Sequence, residues 1–416
     1  MDTNLDSARD RHLFGPGPKR ILALGGSAST AMSAAIFGAF LERIETVLGE
    51  RSKPELPLGD HFDLVGGAST GAVIAGAVAL GYRARQIKDF LLMLAPVAFK
   101  RQNWRVPLLQ AKFDARGLRK QIETVVGDRA LSSPDLITGL SIIIKRVDTG
   151  SPWIVSNNPR APYWEGGGNY IGNKDYPLVN LVRASTAAPH FFDPELLPLT
   201  RPATETPSLD ESASDSRWPT RAFSALMQRL GLRKRNTLSP DLYGLFVDGT
   251  LTPHANPSLA LLDLATLSPF HLKWPTGPER LTVCSVGAGR HRYQPLATSS
   301  FAKSVAMTFD ALTSLLKDAE DSVLGQMQYL GECPTPWPVP GTGIGADDMP
   351  RGGKVCRFLH YDVELEEDWI RDNLGLTVSA RDISRLRQLD DPAVAKDFYH
   401  LAEIAAEKQV KPEHFS

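Results

Sequence analysis

Two short segments carry residue types that could cleave an acyl ester. The first is Gly67-Ala68-Ser69-Thr70-Gly71, which follows a short apolar run (Phe62, Leu64, Val65) and leads into an Ala/Val-rich segment of helical character. Strand, tight turn and helix form the context in which G-x-S-x-G makes a nucleophile elbow. The serine backbone is forced into a sharp bend there, and small neighbours such as Gly67 and Gly71 leave room for it. Its hydroxyl projects from the sheet edge, and the amides of the following helix N-terminus face a developing oxyanion. The second segment is Asp248-Gly249, which closes the apolar run 242–247. A carboxylate at that strand end is expected at the same sheet edge as Ser69, where it would serve as the base. The same dipeptide also suits a purely structural Asx turn. His254, His271 and His291 follow Asp248, so a Ser-His-Asp arrangement stays open. Gly25-Gly26-Ser27-Ala28 is the candidate oxyanion hole, because consecutive small residues can turn several N–H groups toward one point.

These residues need a frame. Arg20–Leu24 reads as a buried strand that stops at Gly25-Gly26, followed by an amphipathic helix over roughly 31–48 with Ile36, Phe40, Ile44 and Val47 on one stripe. Helices are expected over 84–94 and 115–126, strands over 140–144, 242–247 and 280–286, a helix over 257–267, and a short strand near Phe358. Strands alternating with helices imply an α/β fold with a mostly parallel sheet covered on both faces. The expected organisation is a flexible lead over 1–19, a catalytic domain over 20–295, and a mainly helical region over 296–416. An insertion interrupts the catalytic domain at 201–240. Its first half, PATETPSLDESASDS, has a disordered composition, and its second half, Trp218 to Arg235, is basic and amphipathic. There Phe223, Leu226, Met227 and Leu230 share one helical face beside Arg221, Arg229, Arg233, Lys234 and Arg235, a pattern that suits either an interfacial helix on anionic lipid or an ordinary surface helix. Phe99 to Trp104, with Lys100, Arg101 and Arg105, is a weaker second candidate for the same contact.

Composition narrows the function classes. The 416 residues hold 46 Lys plus Arg against 47 Asp plus Glu, so no global field points to nucleic acid. Three scattered cysteines (Cys284, Cys333, Cys356) argue against a disulfide framework or a zinc site and fit a reducing, cytoplasmic compartment. The N-terminal stretch lacks the apolar core of a signal peptide, and no apolar run is long enough to span a bilayer. The expectation is a protein that is soluble or peripherally attached, with no metal and no cofactor.

Taken together and in order, the motifs resemble the patatin-like phospholipase family. They are the turn ILALGGSAST, the elbow DLVGGASTGAVIA, the segment Arg183 to Pro189 followed by Phe191 and Phe192, the stretch FVDGTLTPHANPSLALL and the strand TVCSVGAG. The resemblance implies a three-layer α/β/α sandwich and a Ser-Asp dyad without histidine, with Ser69 as nucleophile and Asp248 taking its proton directly. It implies hydrolysis of acyl esters in phospholipids and related lipids through an acyl-serine intermediate, with a phospholipid or membrane surface as the partner. One departure stands out. The family's turn usually reads G-G-G-x-R/K-G, whereas here the third Gly is Ser27, the basic residue is Ser29 and the last Gly is Thr30. That departure supports the alternative of a catalytically weak lipid-binding or regulatory protein on the same scaffold.

Overall fold

In β1 (Lys19–Leu24) successive side chains fall on opposite faces of a sheet, and both faces are covered. Leu22 and Leu24 enter one core with Cys284, Val286, Leu359 and Tyr361. Ile21 and Ala23 enter the other with Leu281, Val283, Cys356 and Phe358. Double-sided burial is why these strands read as unbroken apolar runs rather than alternating ones. The computed structural model describes residues 5–26, 30–98, 115–189, 191–200, 242–290, 300–341, 343, 348–386 and 394–415.

The remaining strands are β2 (Leu64–Ala68), β3 (Gly139–Arg146), β4 (Pro152–Ser156), β5 (Glu195–Pro198), β6 (Tyr243–Val247), β7 (Leu281–Val286), β8 (Gly331–Glu332) and β9 (Cys356–Tyr361). They form one nine-stranded sheet in the order β5-β6-β3-β2-β1-β7-β9-β8, with β4 paired to β3 off that path. From β3 through β8 the neighbours run parallel. β4, β5 and β6 close the other end with antiparallel pairings.

The helices used below are α1 (Ala8–Phe14), α2 (Thr30–Arg51), α3 (Leu58–His61), α4 (Thr70–Ala79), α5 (Ala84–Ala98), α6 (Ala115–Val126), α7 (Leu178–Ser185), α8 (Ser258–Thr266), α9 (Ser300–Leu330) and α10 (Val394–Gln409). One face of the sheet carries α2, α4, α5, α6, α7 and α10, with Phe37, Phe40 and Ile44 of α2 fully buried. Burying each such side chain contributes about 1.5–3 kcal/mol. The other face carries Leu13 of α1, Leu261 and Leu264 of α8, and Val323, Leu324 and Met327 of α9. The result is the three-layer α/β/α sandwich with a mixed, mainly parallel sheet. α4 is buried along its whole length, so its Ala/Val/Gly composition reflects close packing directly behind Ser69.

Two expectations change. Residues 8–14 of the supposed lead form α1, capped by the Ser7 side chain, with Leu13 fully buried. The buried Lys19 amine donates to the His12 carbonyl and to Asp63 Oδ1, holding this segment against the start of β1. The region 296–416 is mainly helical and contains the strand expected near Phe358. Its β9 pairs with β7 from Thr282↔Arg357 to Val286↔Tyr361, so a boundary at 295 divides a continuous sheet. β4 follows β3 directly and pairs back on it, with Ile154 opposite Ile143. The insertion 201–240 and the segment 99–114 lie outside the described residues. Among the described residues no helix is long and apolar enough to cross a membrane.

Candidate active site

Ser69 sits between the end of β2 and the first turn of α4. Its φ of 53° and ψ of −124° place a non-glycine residue in a backbone region that L-residues rarely occupy. The surroundings hold it there. A Cβ on Gly67 would come within 2.3 Å of the Gly71 carbonyl, and one on Gly71 within 2.2 Å of the Leu24 carbonyl, so β1, β2 and α4 meet only through glycine. The Ser69 amide, turned away from the strand ladder by this bend, donates to Ser185 Oγ at 2.9 Å. Ser185 Oγ in turn donates to the Ile143 carbonyl of β3 at 2.7 Å.

Asp248 reaches Ser69 from an unexpected direction. β6 pairs antiparallel to β3, with Phe246 opposite Arg146 and Val247 opposite Lys145. The chain therefore runs back along β3 toward the level of Ile143, instead of emerging alongside β2. Ser69 Oγ donates to Asp248 Oδ2 at 2.7 Å across 179 residues of sequence. Asp248 Oδ1 accepts two bonds from Thr250, from its amide and its hydroxyl, each 2.8 Å. The Asp248 amide donates to the Ala187 carbonyl. A Cβ on Gly249 would lie 2.2 Å from the Ile143 carbonyl, which explains glycine next to the acid.

Ser69 is 7% exposed and Asp248 only 1%. Burial pushes the Asp248 carboxyl up from 3.8 to about 6, against the opposing pull of the Thr250 and Ser69 donors and the Arg183 guanidinium. Arg183 is itself buried. Its Nη2 donates to the Asp193 carbonyl at 2.7 Å and its guanidinium lies 5.5 Å from the centre of the Phe192 ring. A carboxylate titrating near 6 is basic enough to take a serine proton and remains mostly ionised at neutral pH.

The family model for patatin-like phospholipase matches residues 22–256, more than half of the chain and inclusive of both Ser69 and Asp248. The chain belongs to the patatin-like phospholipase family. It is 27% identical over 179 residues to a cGAMP-activated phospholipase of Escherichia coli (strain TW11681), covering 42% of this chain and 48% of that protein. It is 28% identical over 179 residues to a cUMP-AMP-activated phospholipase of Escherichia coli, covering 43% and 50%. The chain thus spans about half the length of the curated relatives it matches. The crystal structure of VipD from Legionella pneumophila aligns at a TM-score of 0.32 and 12% identity over 95% of this chain and 67% of that one, too loose a likeness to carry an argument.

In this patatin-like chain two residues of the candidate oxyanion turn, Gly25 and Gly26, are described. The Gly25 amide donates to the Val286 carbonyl and the Gly26 amide to the Ala255 carbonyl, both at 3.0 Å. Neither is directed at an oxyanion. Ser27 and Ala28 lie outside the described residues. Thr70 and Gly71 open α4, where a helix has no carbonyl four residues back for its first amides.

Among the described residues neither His254 nor His271 hydrogen-bonds to Ser69 or Asp248. The His254 imidazole is half-buried, with Nδ1 lacking a hydrogen-bond partner among the described residues. His271 is exposed in a left-handed turn, and His291 is not described. Asp248 has both oxygens occupied by Ser69 and Thr250, with no imidazole between. Among the described residues no group of three or more His, Cys, Asp or Glu is placed to hold a metal ion. Sequence reasoning missed Ser185 and Thr250 as supporting residues. Ser185 lies inside the segment 183–189 that carried the resemblance, and Thr250 directly follows Asp-Gly, so both were marked by position though not by role.

Proposed function

We propose that this chain is a lipid acyl hydrolase of phospholipase A type, working through Ser69 and Asp248. The observation that carries the reading is the 2.7 Å bond from Ser69 Oγ to a fully buried carboxylate whose ionisation is pushed up to about 6. Ser69 Oγ attacks the ester carbonyl carbon while its proton passes to Asp248 Oδ2. The tetrahedral oxyanion is met by the Thr70 amide at the start of α4. Collapse breaks the bond to the alcohol oxygen, which takes the proton from Asp248, and the acyl group stays on Ser69. Water then attacks the acyl-serine, giving its proton to Asp248. The second collapse releases the fatty acid and returns the proton to Ser69 Oγ.

The basic amphipathic segment Trp218 to Arg235 is our candidate for the contact with a lipid surface, on its sequence pattern alone. A weakly catalytic lipid-binding protein is the second reading, favoured by the commitment of the Gly25 and Gly26 amides to backbone carbonyls. A fluorophosphonate probe separates the two. The hydrolase reading expects covalent labelling that disappears in Ser69→Ala and acyl products from micellar phospholipid. Two relatives are named for activation by cGAMP and cUMP-AMP, so labelling is to be run with and without each nucleotide. Label retained on Ser69→Ala removes the assigned nucleophile. No labelling under any of these conditions, with retained lipid binding, leaves the second reading.

A further inference from the structure

Asp248 has two oxygens, and only one faces the nucleophile. An Asp whose side chain can rotate presents either oxygen and wastes part of its population in orientations that do not reach Ser69. In this chain the rotation is stopped from one side. Oδ1 accepts the Thr250 amide and the Thr250 hydroxyl, both at 2.8 Å, while Oδ2 accepts Ser69 Oγ at 2.7 Å. An Asx turn alone explains the amide bond, since Asp248 caps the short turn Gly249–Leu251. It does not explain the hydroxyl, which is a second donor to the same oxygen. The Thr250 methyl has a separate place. A Cβ added to Gly26 would lie 2.1 Å from Thr250 Cγ2 and 3.3 Å from Ser69 Cβ, so this methyl fills the space between the glycine turn and the nucleophile.

We propose that Thr250 is a positioning residue of the dyad: its hydroxyl fixes Oδ1 so that Oδ2 alone serves Ser69, and its methyl sets the spacing between Gly26 and the elbow. This rests on the Ser69–Asp248 reading above. The hydroxyl also stabilises the charged carboxylate, opposing the effect of burial. Among the described residues the other groups acting on Asp248 are the Ser69 hydroxyl from the elbow, the Thr250 amide, and, as the one charged group, Arg183 from α7. None of these changes when the Thr250 hydroxyl is removed. A hydrogen bond to a charged group is worth enough to move the Asp248 titration upward by about one to two units.

The experiment is the rate of fluorophosphonate labelling from about pH 4.5 to about pH 9 in the full chain, for wild type, Thr250→Val, Thr250→Ser and Asp248→Asn. Wild type is expected to lose reactivity on the acid side with a midpoint near 6. Thr250→Val keeps the bulk and loses the donor. Its midpoint is expected to rise by about one unit, with roughly tenfold slower labelling near pH 5 and a much smaller loss on the alkaline plateau. Thr250→Ser restores the donor, and its midpoint is expected to return to the wild-type value. A residue that only held the fold would lower the rate by the same factor at every pH. If Thr250→Val does not fold, Thr250→Ala against Thr250→Ser makes the same comparison. An unchanged midpoint in the variant lacking the hydroxyl, or an equal shift in Thr250→Ser, overturns the assignment. Full labelling of Asp248→Asn instead overturns the dyad itself, so the two failures are told apart.

Discussion

Asp248 is held in the fold at a thermodynamic cost, and removing its charge should make the protein more stable. In an unfolded chain the carboxyl ionises near 3.8, and in the folded chain near about 6. Between those values the native state keeps a proton that the unfolded state has released. Stability attributable to this group is therefore complete below about 3.8 and falls as pH rises through about 6. The displacement of roughly two units corresponds to about 3 kcal/mol lost at neutral and alkaline pH. Asp248→Asn removes that penalty and keeps the geometry. The amide oxygen can take the place of Oδ1 and accept both Thr250 donors, while the NH₂ faces Ser69 Oγ, which can accept. Allowing for imperfect replacement, the variant should be more stable by about 2 kcal/mol near pH 8 and equal to wild type near pH 4. At an unfolding entropy of about 2.1 cal/mol/K per residue, a chain this long gains roughly 2 °C in Tm. Differential scanning calorimetry across that pH range reads the difference directly. A stability gap that does not change with pH, or that favours wild type at pH 8, would refute the claim that burial of Asp248 is what raises its pKa. Loss of labelling in the same variant shows the opposition between stability and activity at one residue.

The remaining predictions concern the support of the nucleophile and its access to lipid. Ser185→Ala leaves the buried Ser69 amide and the Ile143 carbonyl without their bridging hydroxyl. It should cost about 1–3 kcal/mol in a denaturant melt and slow labelling at all pH values alike, unlike the Thr250 variants. Replacing Phe223 and Leu226 by Ser should reduce sedimentation with anionic liposomes while turnover of a soluble ester persists. Unchanged partitioning would remove the 218–235 segment as the membrane contact.

Ser69 was legible because everything that makes an elbow is local: an apolar strand, small residues and a helix within twenty positions. Asp248 was legible by type but not by route. Its strand reads the same whether it runs parallel or antiparallel, and the pairing of Val247 with Lys145 depends on a partner a hundred residues away. The same limit hid the place of β9. Its apolar run was visible, but its register on β7 across 69 intervening residues was not. Gly25 and Gly26 have the composition of an oxyanion turn, yet where an amide points depends on which carbonyl lies opposite, and Val286 and Ala255 belong to distant segments. α1 escaped notice because seven residues with one fully buried anchor, Leu13, give no periodicity to read.

One strand sets the geometry of both halves of the site. The Ile143 carbonyl of β3 accepts the Ser185 hydroxyl that holds the Ser69 amide, and the same carbonyl is the atom that a side chain at position 249 would strike. Ala68, the residue before Ser69, lies in register with Ile143, and Val247, the residue before Asp248, lies in register with Lys145. The distance between hydroxyl and carboxylate is thus fixed by pairing across β2, β3 and β6 rather than by the flexible ends of two side chains. A slip of one residue in β3 would turn Ile143 to the opposite face and displace the supports of the serine and the acid together. Two motifs 179 residues apart can meet at 2.7 Å because both are measured from the same short length of backbone.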